Sequence, residues 1–176
     1  NFTSSPSITS RMVRAASPRL RSTAVNRKYR KLLGMEAVKN RIKKHEGFRN
    51  KVYKDTLNKR TIGYGHLCVE EWWEDDKEYP DAQLDRIFDK DFDKAKDGAS
   101  KLYEGCEISD TAKGLIIEMV FQLGPTGVSK FKNMWAALKE SPPNYKTASS
   151  EMLDSRWAKQ TPSRAKELSN TMRGIV

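Results

Sequence analysis

One β-type stretch lies between helical patterns on both sides, and this limits the chain to a mixed α+β fold. Residues 51–66, KVYKDTLNKRTIGYGH, set β-branched and aromatic side chains around a Leu57-Asn58-Lys59 turn, which predicts a hairpin. Ahead of it Met35, Val38 and Ile42 recur at i, i+3 and i+7, one face of an amphipathic helix. Gly47 is its expected terminator. After it, an acidic connection over residues 67–80 ends at Pro80. Leu84, Ile87, Phe88, Ala95, Ala99 and Leu102 then mark a long helix beginning near Asp81. Shorter helical patterns follow at 109–122, 129–140, 145–157 and 162–172, punctuated by Gly124-Pro125, Ser141-Pro142-Pro143 and Thr161-Pro162. The expected architecture is a hairpin lobe at 48–80, a long helix at 81–104 and a helical lobe at 105–176.

Charge is distributed unevenly. The chain carries a net +10 over 176 residues, but residues 1–35 hold eight Lys/Arg and no acid. Rich in Ser, Pro and Arg, residues 1–34 read as a basic extended arm. Four roles remain open for it: a clamp on an acidic partner, an organelle-targeting segment, a tether into a larger assembly, or a solvated tail. Asn1 in place of an initiator Met suggests processing upstream. The body from residue 36 has 25 basic and 23 acidic groups, and residues 70–97 hold twelve acids against five bases. That pattern argues against a duplex nucleic-acid face. No run of about 18 apolar residues exists, so no membrane span is expected. Cys68 and Cys106 allow at most one bridge, and with only His45 and His66 they form no ligand cluster; neither metal nor cofactor is expected.

Glu46 extends the Val38–Ile42 stripe at i+8 and i+4, at the C-terminal, negative end of the helix. Desolvation and the dipole both disfavour its anion, so a raised pKa is expected, as a general acid requires. The alternative is a surface glutamate beyond the stripe. Asp55, nine residues on and beside a polar turn, would stay ionised. Two carboxyl groups in contrasting environments are the pattern of acid/base division of labour, glycoside hydrolysis included. Thr61 could hold a water opposite Asp55, or be an ordinary strand residue. Gly63 and Gly65 flank Tyr64, where a strand glycine admits close approach or a bend. Asp91 falls on the apolar stripe of the long helix and needs a partner, for which His66 is the candidate. Trp72 and Trp73 could stack on sugars, although packing against Tyr79 is the simpler expectation.

The run HEGFRNKVYKDTLNKRTIGYGH resembles the active-site segment of T-even phage-type lysozymes, glycoside hydrolase family 24: Glu46, eight residues, Asp55, five residues, Thr61, then Ile62-Gly63-Tyr64-Gly65-His66. IFDKDFDKA, MVFQLGPTGV at 119–128 and SRWAKQTPSRAKEL at 155–168 look like further family segments in order, so the resemblance spans residues 35–176 and omits the arm. It implies a muramidase cleaving, with inversion, the β-1,4 bond between N-acetylmuramic acid and N-acetylglucosamine in peptidoglycan. Glu46 then resembles the general acid, Asp55 the carboxylate activating water, and Thr61 a residue placing that water. Tyr64, Gln122, Gly124 and Arg164 resemble substrate-binding positions, with Arg164 helping to position the acid. His66 and Asp91 resemble a structural pair. Phage origin is implied, as an endolysin or a virion-associated enzyme acting on the bacterial wall. The alternative is a lysozyme-fold structural subunit docked by residues 1–34. The chain departs from the family pattern at Leu57, where an acid facing Arg156 is usual, in the short connection after His66, and in ending at Val176.

Overall fold

The computed structural model describes the backbone of residues 18–176 and the side chains of residues 23–176. In chain order these form α1 (Pro18–Glu46), β1 (Arg49–Lys54), β2 (Arg60–Gly63), β3 (His66–Leu67), α2 (Asp81–Leu102), α3 (Asp110–Ser129), α4 (Lys132–Leu138), α5 (Tyr145–Leu153), α6 (Arg156–Gln160) and α7 (Pro162–Arg173). Two units are distinguished, residues 1–33 and residues 34–176.

In the first unit the expected extended arm is corrected in part. Residues 1–17 lie outside the described residues, but helix begins at Pro18. Pro18 suits the first position of a helix, and the Arg, Lys, Leu and Ala that follow are good helix formers. A short apolar periodicity is present. Val25, Tyr29, Leu32 and Leu33 recur at i, i+4, i+7 and i+8, all more than half exposed.

In the second unit α1 closes at Glu46. Gly47 takes φ +70 and donates its N–H to the Lys43 carbonyl, so the expected terminator ends the helix. The three strands form an antiparallel sheet in the order β1-β2-β3. Tyr53 pairs with Thr61 and Ile62 with His66. Asn58 supplies the left-handed φ the turn needs. Ile62, Trp73, Tyr79 and Leu84 make a small core beneath the sheet.

The α2 stripe buries Leu84, Phe88, Phe92, Ala95 and Ala99. Leu84 belongs to the small core, while Phe88, Phe92, Ala95 and Ala99 join the larger one built from α1, α3, α4, α5 and α7. One helix therefore serves both cores. Ser109 caps α3 by accepting from the Ala112 N–H. The break expected at Gly124-Pro125 is a kink: Gly124 leaves helical geometry at φ 76, ψ 161, and the helix resumes to Ser129. The whole is α+β, mostly helical, with a small hairpin lobe, as the pattern of elements predicts.

Candidate active site

The end of α1 delivers Glu46 to the foot of the sheet. Its Oε1 accepts from Arg164 Nη1 at 2.8 Å, and its side chain is 21% exposed. The other oxygen lies against Gly65, where an added Cβ would stand 2.7 Å from Oε2. Gly65 itself has φ +79. Val38 and Ile42 of the same stripe are buried, and an arginine and the bare backbone of Gly65 lie against the carboxyl. Gly65, in the turn between β2 and β3, gives the close approach that a glycine permits, with this chain's own carboxyl as the approaching group.

Asp55 opens the hairpin turn. Its Oδ1 accepts from the N–H groups of Leu57 at 2.9 Å and Lys59 at 2.8 Å. Its own N–H donates to the Lys59 carbonyl. One oxygen is thus anchored by backbone, and the other has no hydrogen-bond partner among the described residues.

Tyr53 reports on both acids. Burial pushes its phenol above the ordinary value; the charges of Glu46 and Asp55 push it further, against the opposing effect of Arg49. Both carboxyl groups therefore act on one side chain of β1. Thr61 lies opposite Tyr53 in the ladder, 2% exposed, and its hydroxyl donates to the Lys59 carbonyl at 2.9 Å. With its proton so committed, the Thr61 oxygen can accept from a water but does not donate to one.

On the far side of the sheet, His66 Nδ1 lies 2.7 Å from Asp91 Oδ2. Its Nε2 lies 3.0 Å from Glu70 Oε2, which also accepts from Trp73 Nε1 at 2.6 Å. Burial would lower the imidazole pKa, but its bonds to the carboxylates of Asp91 and Glu70 outweigh it and raise it. Glu70 is drawn below its usual range, burial opposing and the indole and imidazole winning. The expected pair is a chain of four groups.

The profile of the family described as Phage lysozyme matches residues 43–173, which include every residue of this site. The chain belongs to the phage lysozyme family. Two relatives from Dictyostelium discoideum, named probable T4-type lysozyme 2 and probable T4-type lysozyme 1, are 27% and 28% identical to it over 157 aligned positions. Each alignment covers 74% of this chain and 90% of the relative.

Within this phage lysozyme fold the outer residues divide between support and surface. Gln122 is tied at both ends of its amide: it accepts from Trp157 Nε1 at 2.8 Å and donates to Thr161 Oγ1 at 3.3 Å. Gly124 supplies the kink immediately after it. Arg164, 7% exposed, stands behind Glu46 and has little surface for a glycan, so its geometry is that of a support. Tyr64 is spent on packing: its ring lies 4.9 Å from Phe48 and 5.3 Å from Phe88, with Lys43 over its face. Burial, then Asp85 and Asp81, push its phenol upward. Trp73 packs edge-on against Tyr79 as expected, whereas Trp72 is 58% exposed and does not. Leu57 is exposed. Cys68 and Cys106 are both free thiols.

A cleft of about 640 Å³ opens beside Gln122, lined by Leu123, Phe131, Arg156, Trp157 and Gln160 among others. Among the described residues no cluster of metal-ligating side chains occurs, and no helix is long and apolar enough to cross a membrane.

Sequence reasoning missed two acids. Glu70 sits four residues after His66, a spacing visible in the sequence. Glu118 is the lone acid of the apolar run LIIEMV, and that isolation was the signal.

Proposed function

We propose that this phage lysozyme family member is a muramidase that hydrolyses the β-1,4 bond between N-acetylmuramic acid and N-acetylglucosamine of peptidoglycan, with inversion. The observation that carries this reading is the Glu46 carboxyl held by Arg164 against Gly65 at the end of α1, with Asp55 anchored in the hairpin turn that follows.

In the proposed reaction Glu46 gives its proton to the glycosidic oxygen as the C–O bond breaks. A water on the opposite face of the sugar attacks the anomeric carbon, and Asp55 takes its proton. Thr61 accepts a hydrogen bond from that water and orients it. The anchored Oδ1 keeps the Asp55 carboxylate in one plane, leaving the second oxygen for the proton. Electrons and protons balance: one proton leaves Glu46 and one arrives at Asp55, and solvent restores both. Inversion follows because water, not Asp55, forms the new bond.

Trp72, exposed, is available for a sugar face. We place the site of action at the bacterial cell wall. Phage endolysin or virion enzyme is the finer reading from the resemblance, but the Dictyostelium relatives carry the family into a cellular organism, and the proposal does not depend on the source.

The test is purified protein on insoluble peptidoglycan, with the released reducing sugar identified and its first-formed anomer read by NMR. N-acetylmuramic acid ends appearing first as the α anomer support the reading; no turnover on any wall refutes it.

A second reading, an assembly role for the basic segment, is favoured by the exposed Val25, Tyr29, Leu32 and Leu33 beside six Lys/Arg and no acid in residues 18–34. Deleting residues 1–34 would abolish assembly and preserve hydrolysis if that segment is a tether; preserved assembly would dismiss it.

A further inference from the structure

Glu118 is fully buried, the deepest charge in the second unit. A carboxylate there requires charged partners. Two other helices supply them. Arg41 of α1 pairs with it through Nε, and Arg164 of α7 brings Nε to 3.6 Å from Oε1. His45 Nε2 stands 3.9 Å from the same oxygen and 3.0 Å from Glu167 of α7. Arg164 meanwhile gives Nη1 to Glu46. One guanidinium is therefore shared between a carboxyl at the site and a carboxyl in the core.

Among the described residues, Nε and Nη2 of Arg164 make no hydrogen bond. Its side chain is held by charge on two sides instead of by a full set of donors. Among the described residues Glu118 is the carboxylate that meets Arg164 on the core side, opposite Glu46.

We propose that Glu118 is a positioning residue for Glu46: acting through Arg164, it fixes where the Glu46 carboxyl stands and how much positive charge that carboxyl feels. The consequence for turnover rests on reading Glu46 as the general acid; the positioning itself does not. Charges along Arg41, Glu118, Arg164 and Glu46 alternate. Removing Glu118 leaves Arg164 facing Glu46 without its core-side carboxylate, so the Glu46 anion gains and its proton is lost at lower pH. The other charged groups facing these residues are His45 and Glu167 on the Glu118 side, and Tyr53 and Asp55 on the Glu46 side; all four remain in the variant.

The experiment is Glu118→Gln in the full chain, read first by the NMR titration of the Glu46 side-chain carboxyl. Its midpoint is expected to fall by roughly half a pH unit or more. On peptidoglycan, kcat should drop roughly tenfold or more with KM within about twofold, because a displaced acid costs rate and not binding. The alkaline limb of the kcat profile should move to lower pH with the titration. Ser149→Ala is the control: it breaks a buried contact with Ser169 away from this cluster, and should lower Tm while moving neither midpoint nor limb.

An unchanged Glu46 midpoint in folded Glu118→Gln overturns the proposal whatever the rate. Should that variant fail to fold, Glu118→Asp withdraws the charge by one methylene, and an unmoved midpoint there is equally fatal. Absence of turnover in the wild type would sink the muramidase reading while the titration still decides this one.

Discussion

Gly65→Ala places a methyl group where the structure has none to spare. The new Cβ would stand 2.7 Å from Glu46 Oε2, against 3.4 Å for the short end of ordinary contact, so the carboxyl must retreat by about 0.7 Å. Misplacing a reacting group by about 1 Å costs on the order of 10²-fold in rate. The expected loss of kcat is therefore between tenfold and a hundredfold, as an order of magnitude. Alanine at φ +79 also strains the backbone by about 1–2 kcal/mol, which in a domain of this size lowers Tm by roughly 2–8 °C. Gly105 separates the two effects. It has φ +80 with nothing within 4 Å of its notional Cβ, so Gly105→Ala carries the strain without the collision. Turbidity clearing of a wall suspension and thermal melts on both variants provide the comparison. Similar melting losses with activity lost only in Gly65→Ala is the expected result. Equal activity in the two variants would refute the claim that Gly65 is there to admit the Glu46 carboxyl.

In the proposed reaction Asp55 has a chemical role beside its structural one. Asp55→Asn keeps an oxygen to accept from Leu57 and Lys59, so the hairpin should stand while wall hydrolysis falls by about 10²–10⁴-fold; Asp55→Ala should in addition lower Tm. The His66 chain sets a pH window. A raised imidazole pKa stabilises fully below the ordinary 6.5 and fades as pH rises through the folded value. A lowered Glu70 pKa stabilises above 4.5 and fades as pH falls through its folded value. The Tm deficit of Glu70→Gln relative to wild type should then be greatest between pH 4.5 and 6.5, and a deficit independent of pH would contradict the coupling.

What was legible in the sequence was local. Glu46, Asp55 and Thr61 sit within sixteen residues, on a helix end and one hairpin, so spacing alone brings them near one another. Asp91 announced a partner because a carboxylate on an apolar stripe must have one. Arg164 could be tied to the acid only through the family resemblance, since the two are 118 positions apart in the chain and no periodicity spans that distance. Glu118 shows the limit from the other side: its isolation in LIIEMV signals a buried charge, but its partners on α1 and α7 are set by packing. The immediate neighbours of Glu46 lay beyond the reach of periodicity for the same reason. A helical stripe says which way a side chain points, not that an arginine from a distant helix will meet it. Residues 18–34 erred differently, because basic and serine-rich composition obscured a short run of good helix formers.

The most direct test of the account is Glu46→Gln assayed on two substrates, natural peptidoglycan and an aryl glycoside of its disaccharide whose phenolate departs without a proton. Loss of a general acid should cost about 10²–10⁴-fold on the first and little on the second. Equal losses on both, or none on either, would contradict the assignment of that proton to Glu46.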